Sequence, residues 1–153
     1  MIYILSAILI IALDQITKIL TVKNLRFGEV KGIIPNILSF TYVKNKGAAF
    51  GILQGARIFF IVLTIIVLIG AIYYIVKMRP TSRLEKWALA LIAGGAVGNF
   101  IDRAYFGFVR DFIMVEFIDF PVFNIADCFV CIGAGLYILY ALLDMLKGKN
   151  SNE

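Results

Sequence analysis

Four stretches of this sequence run for about twenty apolar residues each, and that pattern constrains the fold more than any other feature. They cover residues 1–22, 57–77 ("RIFFIVLTIIVLIGAIYYIVK"), 87–103 ("WALALIAGGAVGNFIDR") and 122–146. The hydrocarbon core of a bilayer takes about 20 residues of α-helix, and a backbone surrounded by lipid must close its own hydrogen bonds. The expected fold is an all-α membrane protein with four transmembrane helices, residues 1–153 forming one integral domain. The chain is 61% hydrophobic, with a mean hydropathy of +0.93, whereas soluble domains are about 45–50% apolar. The first span lacks a basic leading region, and Asp14 and Lys18 interrupt its far end, so it is expected to stay as a helix rather than be cleaved as a signal peptide.

Orientation follows from the loops. The connection "KMRPTSRLEK" (77–86) carries Lys77, Arg79, Arg83 and Lys86, and the tail adds Lys147 and Lys149. Basic loops stay cytoplasmic, which puts both termini inside. The first outer segment, residues 23–56, disagrees, with Lys23, Arg26, Lys31, Lys44 and Lys46. It is longer and less densely charged, so the short loop is given precedence. Within it "NILSFTYV" (36–43) is rich in β-formers and "KNKGAAFG" (44–51) reads as a turn. A small extracytoplasmic β-cradle is expected there, and residues 104–121, aromatic and acidic, form a second outer loop or short helix.

Several chemistries are excluded. The chain has no histidine, which removes Ser-His and Cys-His nucleophiles and His-based zinc sites. No metal or cofactor is expected. Cys128 and Cys131 share a helix face and read as small apolar fillers. The net charge of +5 lies in the loops, which suits membrane lipid and leaves no basic stripe for nucleic acid. Gly94 and Gly98 stand at GxxxG spacing and read as helix packing.

Ionisable residues inside a membrane are expensive and mark function. Counting at 1.5 Å per residue, Asp14 and Lys18 lie about 12 and 6 Å from the outer end of the first span, Asn99 about 6 Å from the end of the third with Asp102 beside it, and Asn124 and Asp127 within about 8 Å of the start of the fourth. Arg103 and Asp111 lie in or beside the second outer segment. All converge on the outer leaflet. Each also has a structural reading: Asp14 and Lys18 pair at i, i+4, Asp102 and Arg103 end a helix, and Asp127 sits at a helix start. Glu116 and Asp119 read as solvated loop acids, Glu85 and Asp144 as cytoplasmic interface charges.

Two neighbouring carboxyl groups resist ionising together, so one keeps its proton while the other can take a proton from water. Such a pair hydrolyses a peptide bond without a covalent intermediate. The residues alone favour Asp111 with Asp127 and leave Asp14 and Asp102 open. A small proton- or ion-coupled transporter is the alternative, but it spreads polar groups across the full bilayer depth.

The motifs "DQITK" (14–18), "NKGAAFG" (45–51), "GNFIDR" (98–103), "VRDF" (109–112) and "FNIAD" (123–127) together resemble, in order, the boxes of bacterial lipoprotein signal peptidase, signal peptidase II. The resemblance implies an aspartyl endopeptidase of the bacterial cytoplasmic membrane, a monomer with its active site near the outer leaflet. Its substrate would be a prolipoprotein, cut before a diacylglyceryl-modified cysteine. By the same matching Asp111 and Asp127 are catalytic. Asp14, Lys18, Asn45, Gly47, Ala48, Phe50, Asn99, Asp102, Arg103, Asn124 and Ala126 support the site or bind substrate.

Overall fold

A computed structural model of the chain describes residues 1–48 and 52–150, the side chains of 148–150 excepted. Four helices carry the apolar runs: α1 (Ile2–Asn24), α2 (Arg57–Met78), α3 (Arg83–Tyr105) and α4 (Ile125–Asn150). All four are long and apolar enough to cross a membrane. Three antiparallel strands, β1 (Val30–Ile34), β2 (Leu38–Asn45) and β3 (Val109–Val115), form a sheet in the order β1-β2-β3.

The helices stop where local chemistry stops them. Arg79 closes α2 in the left-handed conformation, with φ 48, just before Pro80, and proline cannot continue a helix. Ser82 caps α3 by accepting from the Glu85 N–H at 3.5 Å, so α3 begins four residues before the expected Trp87. Polar Arg83, Glu85 and Lys86 disguise that first turn as loop. Asn124 and Asp127 cap α4 reciprocally: the Asp127 N–H donates to the Asn124 side chain at 3.0 Å, and the Asn124 N–H to the Asp127 carboxylate at 3.1 Å. Such a box satisfies two donors that a helix start leaves unpaired.

The β1–β2 hairpin turns through Pro35 and Asn36, with Asn36 at φ 59 and the Ile37 N–H bonded to Ile34 O at 3.1 Å. Residues 104–121, expected as loop or short helix, contribute β3 to the same sheet. Arg110 and Asp111 interrupt the apolar alternation of "VRDFIMV" and hide the strand. Phe123 also pairs with Ile113, which brings the residue before the α4 cap against β3.

Packing centres on α3, which touches α1, α2 and α4. Between Glu85 and Asp102, its buried face is built of small residues, Ala88, Ala90, Gly94, Gly95 and Gly98. The expected glycine packing is present and tight: a Cβ on Gly98 would sit 2.6 Å from the Asp14 carboxylate, and one on Gly95 would collide with Ala126 O. α2 buries no residue at all, the pattern of a helix whose outer face meets lipid. Polar contacts hold both its ends. The Arg57 guanidinium donates to Arg103 O at 2.8 Å and Ala104 O at 2.6 Å, satisfying carbonyls at the end of α3. At the other end the Tyr74 hydroxyl donates to Glu85. Glu85, expected as an interface charge, is buried instead, because α2 supplies this partner.

Candidate active site

Two kinds of carboxylate meet at the end of the bundle that carries the sheet. Asp14 and Asp102 are fully buried and paired with cations. The Lys18 ammonium, also fully buried, lies 2.9 Å from Asp14 Oδ2 and 3.4 Å from Asp102 Oδ2, and donates to Asn99 Oδ1 at 2.9 Å. Arg110 grips Asp102 through Nη2 at 2.6 Å, Nε at 3.1 Å and its backbone N–H at 2.9 Å. A buried charge is tolerable only when paired and fully hydrogen-bonded, and both acids meet that condition. Asp14 Oδ1 also accepts the Ala126 N–H at 3.0 Å, a donor in the first turn of α4 with no partner inside its own helix.

Asp111 and Asp127 are treated differently: no cation forms a salt bridge with either among the described residues. Their hydrogen bonds come from neutral amides. Asp111 Oδ2 accepts from Asn45 Nδ2 at 2.9 Å, and Oδ1 from Asn124 Nδ2 at 2.5 Å. Asp127 accepts from Asn99 Nδ2 at 2.7 Å and from the Asn124 backbone. Burial pushes the Asp111 carboxyl up to about 7, and the charge of Asp127 adds to the effect. Both acids line one cavity of about 560 Å³.

Strand and helix geometry explains the division. On β3 alternate side chains take opposite faces, so Val109 and Asp111 turn to the cavity while Arg110 turns to Asp102. Asn45 lies opposite Val109 on β2 and reaches Asp111 diagonally, as cross-strand neighbours do. On α3, Asn99 and Arg103 face the cavity one turn apart. Arg103 donates to Gly47 O at 2.9 Å and stacks on Phe60 at 4.7 Å, fixing the loop after β2 against the helix.

Of the expected site residues, Asn45, Ala48, Asn99, Arg103, Asp111 and Asp127 line the cavity. Asp14, Lys18, Asp102 and Ala126 are fully buried behind it, where they orient the groups that do. Asn124 bridges the two acids, and Gly47 holds Arg103 through its carbonyl. Phe50 lies outside the described residues. Cys128 and Cys131 correct their reading as packing. Both are free thiols lining the cavity, and Cys131 is exposed, because the α4 face that carries Asp127 continues through them. With Phe120, Val122 and Ile132 they give the cavity an apolar wall.

Two residues escaped sequence reasoning. Gln15 donates to Gly98 O at 3.0 Å and Asp102 Oδ1 at 3.2 Å, and accepts from Arg110 Nη2 at 2.8 Å. Arg110 is buried, over the Phe106 ring at 4.5 Å. The signal for each was its place beside a candidate acid, Asp14 or Asp111.

A family model described as signal peptidase (SPase) II matches residues 6–143. The lipoprotein signal peptidase of Halalkalibacterium halodurans is 45% identical over 155 residues, covering 100% of this chain and 99% of that protein. That of Enterococcus faecalis is 40% identical, covering 99% of this chain and 96% of its own. A solved structure of a bacterial membrane enzyme superposes with a TM-score of 0.90 at 40% identity, covering 94% of this chain and 88% of that one.

Proposed function

The chain belongs to the signal peptidase II family, and on that footing we propose that it removes the signal peptide from prolipoproteins, with Asp111 and Asp127 activating the attacking water. The observation that carries the assignment is the difference in partners. Asp14 and Asp102 are neutralised by Lys18 and Arg110, whereas Asp111 and Asp127 have neutral amide donors only and open onto the cavity. A carboxylate locked in an ion pair is a poor base, and one without a cation can exchange a proton.

In the proposed reaction the pair holds one proton. The ionised carboxylate takes a proton from water as its oxygen adds to the scissile carbonyl carbon, and the protonated one donates to the carbonyl oxygen. As the tetrahedral species collapses, the carboxylate that gave up its proton takes one back from a hydroxyl of the gem-diol, the C–N bond breaks, and the leaving nitrogen takes the proton held by the base, so the pair again holds one proton. The raised Asp111 carboxyl supports the shared proton. Asn45, Asn99 and Asn124 hold both acids in place through either protonation state.

The substrate would be a prolipoprotein whose cysteine carries a diacylglyceryl group, cut on the amino side of that cysteine. The apolar wall formed by Phe120, Val122, Cys128, Cys131 and Ile132 suits such a segment. The enzyme would act as a monomer in the bacterial cytoplasmic membrane, both termini cytoplasmic and the cavity near the outer leaflet. The purified protein should be incubated with a diacylglyceryl-modified prolipoprotein and with the unlipidated form. Cleavage of the first alone is expected, and equal cleavage of both would refute the substrate assignment.

A further inference from the structure

Five basic residues in the first outer segment stand against the charge rule that orients the rest of the chain, and the proposed reaction leaves most of them unused. Lys44 is engaged, its ammonium over the rings of Phe27, Tyr42 and Phe108 at 5.3–5.9 Å. Lys31 is not: among the described residues nothing pairs with its ammonium. It lines a groove of about 380 Å³ between the end of α1 and the sheet. The groove shares no lining residue with the catalytic cavity. β3 separates the two, since Asp111 faces the cavity and Phe112 the groove.

The walls of the groove are apolar. Leu20, Ile33 and Phe40 are half exposed in it, and Phe112 closes its floor. The polar side chains on the α1 wall are already spent on their own helix. Thr17 donates to Leu13 O and Asp14 O at 2.9 Å, Thr21 to Thr17 O at 2.9 Å, and Asn24 to Leu20 O at 2.7 Å. Lys31, opposite Phe40 in the β1–β2 register, is left as the charged group of the groove. Lys23 stands in the last turn of α1 and Arg26 just beyond it, with Glu29 the nearby acid in sequence.

We propose that this groove binds an anionic diacyl phospholipid, an acyl chain lying against Leu20, Ile33, Phe40 and Phe112 and the headgroup phosphate meeting Lys31. The location suits a lipid, because the groove opens beside the end of a membrane-spanning helix. The charge suits an anionic one, since a single lysine near a membrane surface favours it about fivefold.

The test is native mass spectrometry of the full chain in detergent, titrated with phosphatidylglycerol, phosphatidylcholine or sn-glycerol 3-phosphate. Phosphatidylglycerol should be retained about fivefold more tightly than phosphatidylcholine. Lys31→Gln should abolish that preference. Leu20→Trp, which fills the groove from the lipid-exposed face of α1, should weaken retention of both lipids. Neither variant touches the carboxylates, so cleavage should be unchanged, which also reports that each is folded. Equal retention of the two lipids, an undiminished preference in Lys31→Gln, unaltered retention in Leu20→Trp, or displacement of phosphatidylglycerol by glycerol phosphate would each overturn the proposal.

Discussion

Asp14 of α1 accepts the backbone N–H of Ala126 in α4 at 3.0 Å, across 112 residues of sequence. The bond fixes the helix turn that presents Asp127, and the same carboxylate holds Lys18 at 2.9 Å. Asp14→Ala should therefore cost about 3–5 kcal/mol, the penalty for leaving one partner of a buried ion pair behind, and should lower cleavage as well. Thermal unfolding in detergent alongside a cleavage assay checks this. An unaltered midpoint would mean that Asp14 does not organise the start of α4.

Asp111→Asn and Asp127→Asn should each reduce prolipoprotein cleavage at least about a hundredfold, the low end of general acid–base contributions. Insertion and helix content should persist, since asparagine matches the shape of aspartate and keeps one of the two acceptor oxygens each acid uses. Gel-shift assays with circular dichroism separate the two effects. Normal processing by either variant would remove that residue from the catalytic pair.

The raised Asp111 carboxyl gives the reaction an alkaline limit. If the pair must hold one proton, turnover should fall as pH rises above about 7, where Asp111 loses it. A pH–rate profile that stays flat to pH 9 would contradict the shared proton.

The same group makes a stability prediction with a definite sign. Between the ordinary carboxylate value of 3.8 and about 7, the folded chain keeps a proton that the unfolded chain has released. The contribution of Asp111 to stability therefore declines as pH rises through that window. Asp111→Asn removes the decline, so the variant should gain on the wild type between pH 5 and pH 8 when unfolding midpoints are compared. Parallel curves would show that Asp111 titrates normally.

Gly98→Ala would push a methyl group to within 2.6 Å of Asp14 Oδ2, whereas a methyl group at Gly135 meets nothing within 4 Å. The first should cost about 1–3 kcal/mol, as overpacking does, and impair cleavage. The second should leave both unaltered. Thermal unfolding of the pair under identical detergent conditions makes the comparison.

Much of the architecture was legible in the residues because the membrane imposes a strong rule. A run of apolar residues must become a helix, and a carboxylate placed in such a run must find partners. The spans and the convergence of Asp14, Asn99, Asp102 and Asp127 follow from that alone. β3 was hidden because its two most important residues, Arg110 and Asp111, break the apolar alternation that announces a strand. Glu85 was misread because the hydroxyl that buries it comes from Tyr74, on a different helix. Which acid receives a cation was equally out of reach of spacing. Lys18 and Arg110 choose Asp14 and Asp102 by contacts that exist only after folding.

The cavity draws Asn45 from β2, Asn99 from α3, Asp111 from β3 and Asp127 from α4, so its parts leave the ribosome in that order, with the final helix contributing last. A nascent or stalled chain that has not inserted α4 carries one acid of the pair and lacks the backbone cap from Asn124. If Asp111 and Asp127 are the catalytic pair, a chain stalled before α4 is inactive simply because half of that pair has not yet been made.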